Sequence, residues 1–260
     1  MPVQVSRQDR VAIVVMDRPE ARNAMNREMA AQLAATYDQL AQDDAVWVVV
    51  LTGAGDRAFC AGQDLKEVEA MVSSAQAGAT PPRPTGGFGG ITQRDFPKPI
   101  IAAVNGFAMG GGFEICLACD LVVAEEHASF GLPEVKRGLF AGAGGLIRIG
   151  KRLPLPLAME VALTGEPLSA QRAYELGLVN RVVPKGEGVQ AAVALANVIC
   201  QAAPLAVRLS KQMLRAGVVQ GESELWALQA ELGAALMRSE DFREGPRAFI
   251  EKRAPHWKGR

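Results

Sequence analysis

Runs of consecutive apolar residues, rich in valine and isoleucine, recur through the first two thirds of the chain. They are Val11–Asp17, Val46–Gly53, Pro99–Gly106, Asp120–Glu126 and Leu178–Pro184. A strand that is covered on both faces is apolar along its whole length, whereas a half-exposed strand alternates between apolar and polar residues. The runs therefore predict the strands of a sheet that is covered on both faces.

Helical spacing appears between these predicted strands. One apolar stripe, at steps of four, four and three, consists of Met29, Leu33, Tyr37 and Leu40. It predicts a helix that either Asn23 or Asn26 could cap at its start. A second, short helix is predicted over Phe113–Cys119. Strands that alternate with helices are typical of α/β proteins, so we expect that fold class.

The strand pattern stops after Leu178–Pro184, and helical spacing continues to the end of the chain. The apolar positions with this spacing are Val193, Val198, Leu205, Leu209, Met213, Leu225, Leu228, Leu232 and Leu236. We place a boundary at the glycines near 186–188. The sequence thus predicts an α/β core over residues 1–187 and a helical region over residues 188–260.

A segment rich in proline, glycine and serine, Ser73–Gly90, has no periodicity. A loop of this length in a compact domain is typically a binding element or a disordered segment. The sequence leaves open whether this one is a mobile binding loop or a loosely packed surface loop.

Composition excludes several classes of protein. Acidic and basic residues balance at 28 each, so charge gives no reason to expect a nucleic-acid partner. The N-terminal residues lack the layout of a signal peptide, and no apolar run reaches the roughly 20 residues of a membrane span. Four cysteines in 260 residues do not make a disulfide framework. We expect a cytoplasmic protein without a membrane partner.

Three motifs resemble functional sites but lack the residues that such sites need. The stretch GAGDRA (Gly53–Ala58) has glycines spaced as in a dinucleotide site, but the predicted helix and the later acidic residue are missing. Cys116 and Cys119 form a C-x-x-C pair without a second pair, so they are expected to fill the core rather than bind zinc. His127 and His256 are the two histidines of the sequence, which disfavours a Ser-His-Asp triad. Proton chemistry is therefore expected to rest on carboxylates, without a metal.

Three consecutive glycines interrupt an apolar region in NGFAMGGGFEIC, Asn105–Cys116. Each weakens a helix or strand by roughly 1 kcal/mol relative to alanine. A backbone without Cβ atoms can approach a ligand closely, and the first N–H groups of a helix carry partial positive charge. The glycines therefore suit a turn that binds an oxyanion. Glu114 follows Gly111 by three residues, although from this stretch alone it is more simply a partner of the helix dipole.

Two further stretches favour the catalytic interpretation. AFCAGQDLKE (Ala58–Glu67) ends a predicted strand and can present a second backbone donor beside Gly62. ASFGLPEVKRGLFAGAGG (Ala128–Gly145) places Glu134 directly after Pro133 and adds more glycine backbone. Two carboxyl groups and two backbone donors at strand ends suit enolate chemistry on a carbonyl compound.

In combination, these stretches resemble the crotonase superfamily of enoyl-CoA hydratases and isomerases nearly from end to end. The matching motifs are AFCAGQDLKE, KPIIAAVNGFAMGGGFEICLACD, FGLPEVKRG, GAGG, ALTGEPLSAQRAYELGLVN and FIEKR. The resemblance implies a spiral of ββα units with a helical C-terminal trimerisation region, assembled as a homotrimer or as a hexamer made of two trimers. It also implies an acyl-CoA thioester substrate from fatty acid or lipid metabolism, and no cofactor besides the coenzyme A of that substrate.

The same resemblance suggests roles for individual residues. The backbone N–H groups of Gln63 and Gly111 correspond to the oxyanion hole of the family, which polarises the thioester carbonyl. Glu114 and Glu134 occupy the positions of the two catalytic glutamates of the hydratases. The N–H group of Gly142 corresponds to a group that helps to hold the reacting water.

The resemblance places coenzyme A along AGQDLK, so Ala61, Asp64, Leu65 and Lys66 are expected to bind it. It implies an enoyl-CoA hydratase, which adds water to a 2-enoyl-CoA. The segment GGFGGIT and the terminal WKGR resemble the carnitinyl-CoA dehydratase branch as much as the fatty-acid branch. A double-bond isomerase and a non-catalytic acyl-CoA-binding paralogue are the remaining alternatives.

Overall fold

The computed structural model describes residues 1–64, 66–68 and 85–260. Its strands are β1 (Val3–Gln8), β2 (Val11–Met16), β3 (Val48–Gly53), β4 (Ala58–Cys60), β5 (Ile100–Val104), β6 (Phe107–Met109), β7 (Leu121–Glu125), β8 (Ser129–Gly131), β9 (Leu168–Ser169) and β10 (Arg181–Val183). A six-stranded sheet has the order β1-β2-β3-β5-β7-β10, and a four-stranded sheet has the order β4-β6-β8-β9. From β2 to β10 the larger sheet is parallel, and β1 lies antiparallel at its edge.

The described α-helices are α1 (Arg27–Gln42), α2 (Gly111–Ala118), α3 (Gly145–Arg152), α4 (Leu155–Thr164), α5 (Ala170–Glu175), α6 (Gly188–Cys200), α7 (Pro204–Gly217), α8 (Glu222–Met237) and α9 (Glu240–Ile250). Short 3-10 helices span Pro19–Ala21, Phe88–Gly90 and Pro133–Arg137.

The chain visits the two sheets alternately. β3, β5 and β7 of the larger sheet are followed in sequence by β4, β6 and β8 of the smaller sheet, and a helix or 3-10 helix follows β6 and β8. Each repeat is therefore a ββα unit, and successive units add one parallel strand to each sheet. The prediction of an α/β spiral built from such units is confirmed.

Two apolar clusters cover the two faces of the larger sheet. One cluster fills the space between the sheets and includes side chains from α1 and α2, such as Leu33 and Phe113. The other cluster joins the opposite face of the sheet to α6 through Ala192, Val193 and Ala196. The uninterrupted apolar strands that the sequence predicted are thus explained by burial on both faces.

The predicted elements are found, with differences at their ends. Asn26 caps α1, because its side chain accepts a hydrogen bond from the N–H of Met29. Asn23 instead is fully buried and donates to the carbonyls of Ala54 and Ala58. Helix α2 begins at Gly111, two residues earlier than predicted. Strands β4, β6 and β8 have three residues each, which is too short for a periodic pattern.

The C-terminal region is helical from Gly188 onward, and its first helix belongs to the core. Helix α6 packs on the larger sheet, whereas α8 has no buried residue. The division into 1–187 and 188–260 therefore remains a prediction. Within the described ranges, no single helix is long and apolar enough to cross a membrane; α6 and α7 together meet that criterion by length and composition but are bent by 106°.

The predicted loop Ser73–Gly90 lies mostly outside the described residues, and its last part forms a packed arch. Gly86, Gly87, Gly89 and Gly90 all have positive φ values between 60° and 77°. A Cβ atom on Gly90 would lie 2.8 Å from the backbone of Ala34 in α1. Glycine is therefore required for this close approach, and the arch is held against the core.

Candidate active site

Helix α2 begins where strand β6 ends, and its first residue is Gly111. The N–H group of Gly110 donates to the carbonyl of Gly131 at 2.9 Å, so it completes the pairing of β6 with β8. The N–H group of Gly111 belongs to the first turn of the helix, where no intrahelical acceptor exists. A side chain on Gly112 would overlap the carbonyl of Cys60. The glycines thus allow the helix start to lie directly against β4.

Gln63 lies beside this helix start. Met25 and Gln63 form a parallel bridge in which Met25 N–H donates to Gly62 and Asp64 N–H donates to Met25, at 2.7 and 2.9 Å. In such a bridge the N–H group of the central residue, here Gln63, points away from its partner. A Cβ atom on Gly62 would lie 3.3 Å from the nitrogen of Gly111. The two expected donors are therefore on adjoining backbone segments.

Glu114 is buried in the first turns of α2, with only 3% of its surface exposed. Its Oε1 atom accepts hydrogen bonds from the N–H groups of Ala143 and Gly145, at 2.7 and 2.8 Å. Burial raises the pKa of Glu114; these two bonds oppose that rise, and the nearby charge of Glu134 adds to it. The carboxylate form consequently has fixed donors on one oxygen.

Glu134 lies in the 3-10 helix Pro133–Arg137, which follows β8. A Cβ atom on Gly110 would lie 3.0 Å from its Oε1, so the carboxyl group faces the start of α2. Its Oε2 atom is buried and has no hydrogen-bond partner among the described residues. Burial raises the pKa of Glu134, while its own backbone N–H group and the charge of Arg137 act in the opposite direction.

The loop that was expected to bind coenzyme A leads away from Gln63. Ala61 is half-buried, and Lys66 is exposed. Asp64 forms an ion pair with Arg18 at 3.0 Å and accepts a hydrogen bond from the N–H of Lys66 at 3.1 Å. Leu65 lies outside the described residues. The binding of coenzyme A by these residues remains a prediction, and within the structure Asp64 stabilises the loop.

Gly142 precedes the residues that hold Glu114. It is exposed and lines a cavity of about 1030 Å³ that extends to α6 and α7. The donors to Glu114 are Ala143 and Gly145, which follow Gly142 in the chain. The motif GAGG contains both, but sequence reasoning did not single them out. The water-positioning role of Gly142 remains a prediction.

Phe88 is a second residue that sequence reasoning missed. Its ring covers Gly111, because a Cβ atom there would overlap the ring. The side chain of Gln63, which could have disturbed a bound thioester, donates from Nε2 to the carbonyl of Met25 at 3.2 Å. The space beside the two expected donors is thus bounded by an aromatic ring.

The stretches that were set aside have structural roles. GAGDRA connects β3 to β4 by a turn, with no helix at that point. Cys116 and Cys119 are buried, and burial raises the pKa of Cys119 to about 12 and that of Cys116 well above its usual value. Both are therefore thiols of the core, as predicted. Over the described ranges, no group of three or more histidine, cysteine or acidic side chains could hold a metal ion.

Together, the fold and the site define a protein of ββα units that offers backbone donors and two carboxyl groups, one buried and one half-buried, at one helix start. Comparison with known sequences identifies the family. Residues 6–260 match the model of the enoyl-CoA hydratase/isomerase family, so the chain belongs to that family, within the crotonase superfamily.

Individual relatives agree with this assignment over nearly the whole chain. Carnitinyl-CoA dehydratase from Proteus mirabilis is 40% identical over 253 residues, which is 95% of this chain and 94% of that protein. The structure is similar to that of enoyl-CoA hydratase EchA1 from Mycobacterium marinum, with a TM-score of 0.91, 42% identity and coverage of 100% and 99%. It is also similar to carnitinyl-CoA hydratase from Mycobacterium avium, with a TM-score of 0.76, 46% identity and the same coverage.

Proposed function

We propose that the protein is a hydro-lyase that reversibly adds water to the C2–C3 double bond of a 2-enoyl-CoA. The observation that carries the proposal is the difference between two neighbouring carboxyl groups. Glu114 has two backbone donors for its charged form, whereas Glu134 has none for its buried oxygen among the described residues. A base and an acid made from the same residue type are what hydration of a conjugated thioester requires.

In this mechanism, the N–H groups of Gln63 and Gly111 bind the thioester oxygen. Their donation stabilises the negative charge that develops on that oxygen when water attacks C3. The partial positive charge at the start of α2 acts in the same direction. Each donor of this type typically contributes roughly 3 kcal/mol to lowering the barrier.

The two glutamates then divide the proton transfers. Glu114, as the carboxylate, orients the water and takes its proton while the oxygen bonds to C3. Glu134, as the neutral acid, gives its proton to C2 as the enolate collapses to the thioester. The Gly142 N–H helps to hold the water. One proton is taken up and one is released, so a proton exchange with solvent restores the starting state, and the reverse sequence dehydrates a 3-hydroxyacyl-CoA.

A second candidate function is dehydration of carnitinyl-CoA or hydration of its unsaturated counterpart. The relative from Proteus mirabilis carries that name at 40% identity, and the same two glutamates would supply the chemistry. An enoyl-CoA isomerase and a non-catalytic acyl-CoA-binding protein are further alternatives. A binding protein has no evident need for one buried and one half-buried carboxyl group, because withdrawing such groups from water is costly.

A panel of substrates tests these alternatives. Turnover is measured in ¹⁸O-labelled water for every substrate. The panel consists of crotonyl-CoA, longer 2-enoyl-CoAs, crotonobetainyl-CoA, aromatic enoyl-CoAs and a 3-enoyl-CoA. Hydration of 2-enoyl-CoAs with label at C3 supports the proposal, and the most reactive member identifies the acyl group. Conversion of the 3-enoyl-CoA without label would favour an isomerase. Tight binding without hydrogen exchange at C2 would favour a binding protein.

We also propose that subunits associate through the C-terminal helices as a trimer or a pair of trimers. None of the residues of α8 is buried, although several are large and apolar, and Trp226 and Met237 are each more than half exposed. Apolar surface of this kind is typical of interfaces. Sedimentation velocity gives the oligomeric state directly, and a monomer at micromolar concentration would contradict this proposal.

A further inference from the structure

Arg148 lies in helix α3 and has no role in the mechanism described above. Its side chain is mostly withdrawn from solvent, and its Nη2 atom donates to the carbonyl of Thr92. Thr92 lies two residues after the 3-10 helix Phe88–Gly90, and its N–H group donates to the carbonyl of Phe88 at 3.3 Å. It therefore belongs to the same wall of the site as Phe88, whose ring covers Gly111. Arg148 thus joins the start of α3 to the wall that covers Gly111.

The guanidinium group of Arg148 occupies the space next to Gly144. Gly144 has a φ of +104°, and a Cβ atom there would overlap Nη1 and lie 3.2 Å from Cζ. Gly144 stands between Ala143 and Gly145, the two residues whose N–H groups hold Glu114. The guanidinium therefore packs on the peptide segment that carries both donors.

We propose that Arg148 is a positioning residue for Glu114: it fixes the Ala143–Gly145 turn and places a positive charge near the carboxylate. The packing on Gly144 and the bond to Thr92 hold the turn in the geometry that both donors need. This inference rests on the proposed function, because the role of Glu114 as a base supplies its readout.

The charges around Glu114 are consistent with this role. Besides burial and the two backbone bonds, Glu134 raises the pKa of Glu114 and Arg148 lowers it. The two side chains approach from different elements, Glu134 from the 3-10 helix after β8 and Arg148 from α3. Removal of the guanidinium charge should therefore make Glu114 harder to ionise.

The charges around Arg148 show which carboxylate compensates it. Burial lowers the pKa of Arg148, and so do Arg215 of α7 and Arg152 of α3. Glu114 and Cys119 act in the opposite direction. Since Cys119 is a buried thiol, Glu114 is the charged group in this set that stabilises the guanidinium.

Arg152 offers a matched control. It lies one turn later in α3, is half-buried like Arg148, and donates to a backbone carbonyl, that of Cys119, at 2.6 Å. That carbonyl is at the far end of α2 from Gly111. Loss of either arginine removes a half-buried guanidinium from the same helix, but of the two only Arg148 packs on the turn that holds Glu114.

The test is the pH dependence of kcat and kcat/KM for Arg148→Met, Arg148→Lys and Arg152→Met with the best 2-enoyl-CoA of the panel. For Arg148→Met we expect kcat to fall about 10- to 100-fold, as small misplacements of a reacting group do. The acid limb of the profile should move to higher pH, because Glu114 must be ionised. Arg148→Lys keeps the charge but lacks the planar group, so kcat should fall while the limb stays near the wild-type pH.

Two results would overturn the role of Arg148. One is an acid limb of the pH profile that lies at the same pH in Arg148→Met as in the wild type, or that shifts equally in Arg148→Met and Arg152→Met. The other is a kcat in Arg148→Lys equal to that of the wild type. This measurement tests the positioning role even if Arg148→Met does not fold. Absence of turnover in the wild type would instead contradict the proposed function, and the role of Arg148, which rests on that function, would fail with it.

Discussion

The turn that holds Glu114 and the 3-10 helix that carries Glu134 place the same side chain in two different environments. Burial raises the pKa of both carboxyl groups. Glu114 is nevertheless bonded to two backbone N–H groups, whereas Oε2 of Glu134 has no partner in the described part of the chain. The comparison teaches that two carboxyl groups whose pKa values burial raises can still differ in the donors that their charged forms meet.

This difference has a local origin in the backbone. Gly144, with its positive φ, turns the chain so that Ala143 and Gly145 present their N–H groups to one oxygen of Glu114. The 3-10 helix around Glu134 begins with Pro133, which has no N–H group to donate, and the backbone hydrogen bond that lowers the pKa of Glu134 comes from its own N–H group. Substitutions in the two segments should therefore have different consequences for activity and stability.

The largest effect is expected when either carboxyl group is neutralised. Glu114→Gln and Glu134→Gln should each lower turnover by about 10²–10⁴-fold, because general acid and base groups contribute on that scale. Binding of the CoA ester, measured by calorimetry, should change little since neither group is proposed to hold coenzyme A. Near-normal turnover in either variant would contradict the role that we propose for that residue.

A pair of glycine substitutions compares the two segments directly. In Gly145→Ala the new Cβ atom would lie 3.0 Å from Cγ and Oε1 of Glu114, so we expect turnover to fall about 10- to 100-fold through displacement of the carboxylate. In Gly138→Ala no atom of the described residues lies within 4 Å of the new Cβ atom, but φ is +70°. That variant should lose about 1 kcal/mol of stability and keep its turnover. Equal losses of turnover in the two variants would contradict the comparison.

Much of this fold was predictable because the signals were local. The continuous apolar runs gave five strands of the larger sheet, and the stripe from Met29 to Leu40 gave α1. Strands such as β6 and β8 were missed because three residues show no period, and their pairing depends on contacts distant in sequence. The order of strands in the sheets could be inferred only through the family resemblance.

The candidate site was predictable as a set of positions rather than as a set of contacts. The glycines at 110–112 and the glutamates indicated where the candidate site lies. The bonds from Ala143 and Gly145 to Glu114 join residues about 30 positions apart, so no local pattern reveals them. The ring of Phe88 on Gly111 was hidden for the same reason, since it lies in a segment without periodicity.

Removal of each carboxyl group should affect stability in proportion to the donors it leaves behind. Glu114→Ala leaves the buried N–H group of Gly145 and the half-buried N–H group of Ala143 without their acceptor, and an unpaired buried group costs about 1–3 kcal/mol. Glu134→Ala removes a group whose buried oxygen has no partner among the described residues, so we expect a change within about 1 kcal/mol. Denaturant unfolding at one protein concentration measures both, and an equal loss would show that the donors do not distinguish the two sites.

The smallest effect, and the most specific, is the pH dependence of stability at Glu134. Because its pKa is raised in the folded protein above the usual 4.5, the folded state binds the proton more tightly than the unfolded chain does. The wild type should then lose stability as the pH rises from about 4.5 through the raised value, since the unfolded chain releases the proton first. Glu134→Gln has no such titration.

The difference in unfolding free energy, Glu134→Gln minus wild type, should therefore be constant below pH 4.5 and increase above it until the folded carboxyl group is ionised. Taking this difference cancels the titrating groups that Glu134 does not influence, provided that the protein concentration is fixed so that subunit association contributes equally. Glu114, whose pKa the charge of Glu134 raises, changes the difference in the same direction, because the repulsion is absent from Glu134→Gln. A difference that decreases with rising pH would mean that the folded protein stabilises the Glu134 carboxylate. In that case the acid and the base could not be told apart by their environments, and the contrast with Glu114 would fail.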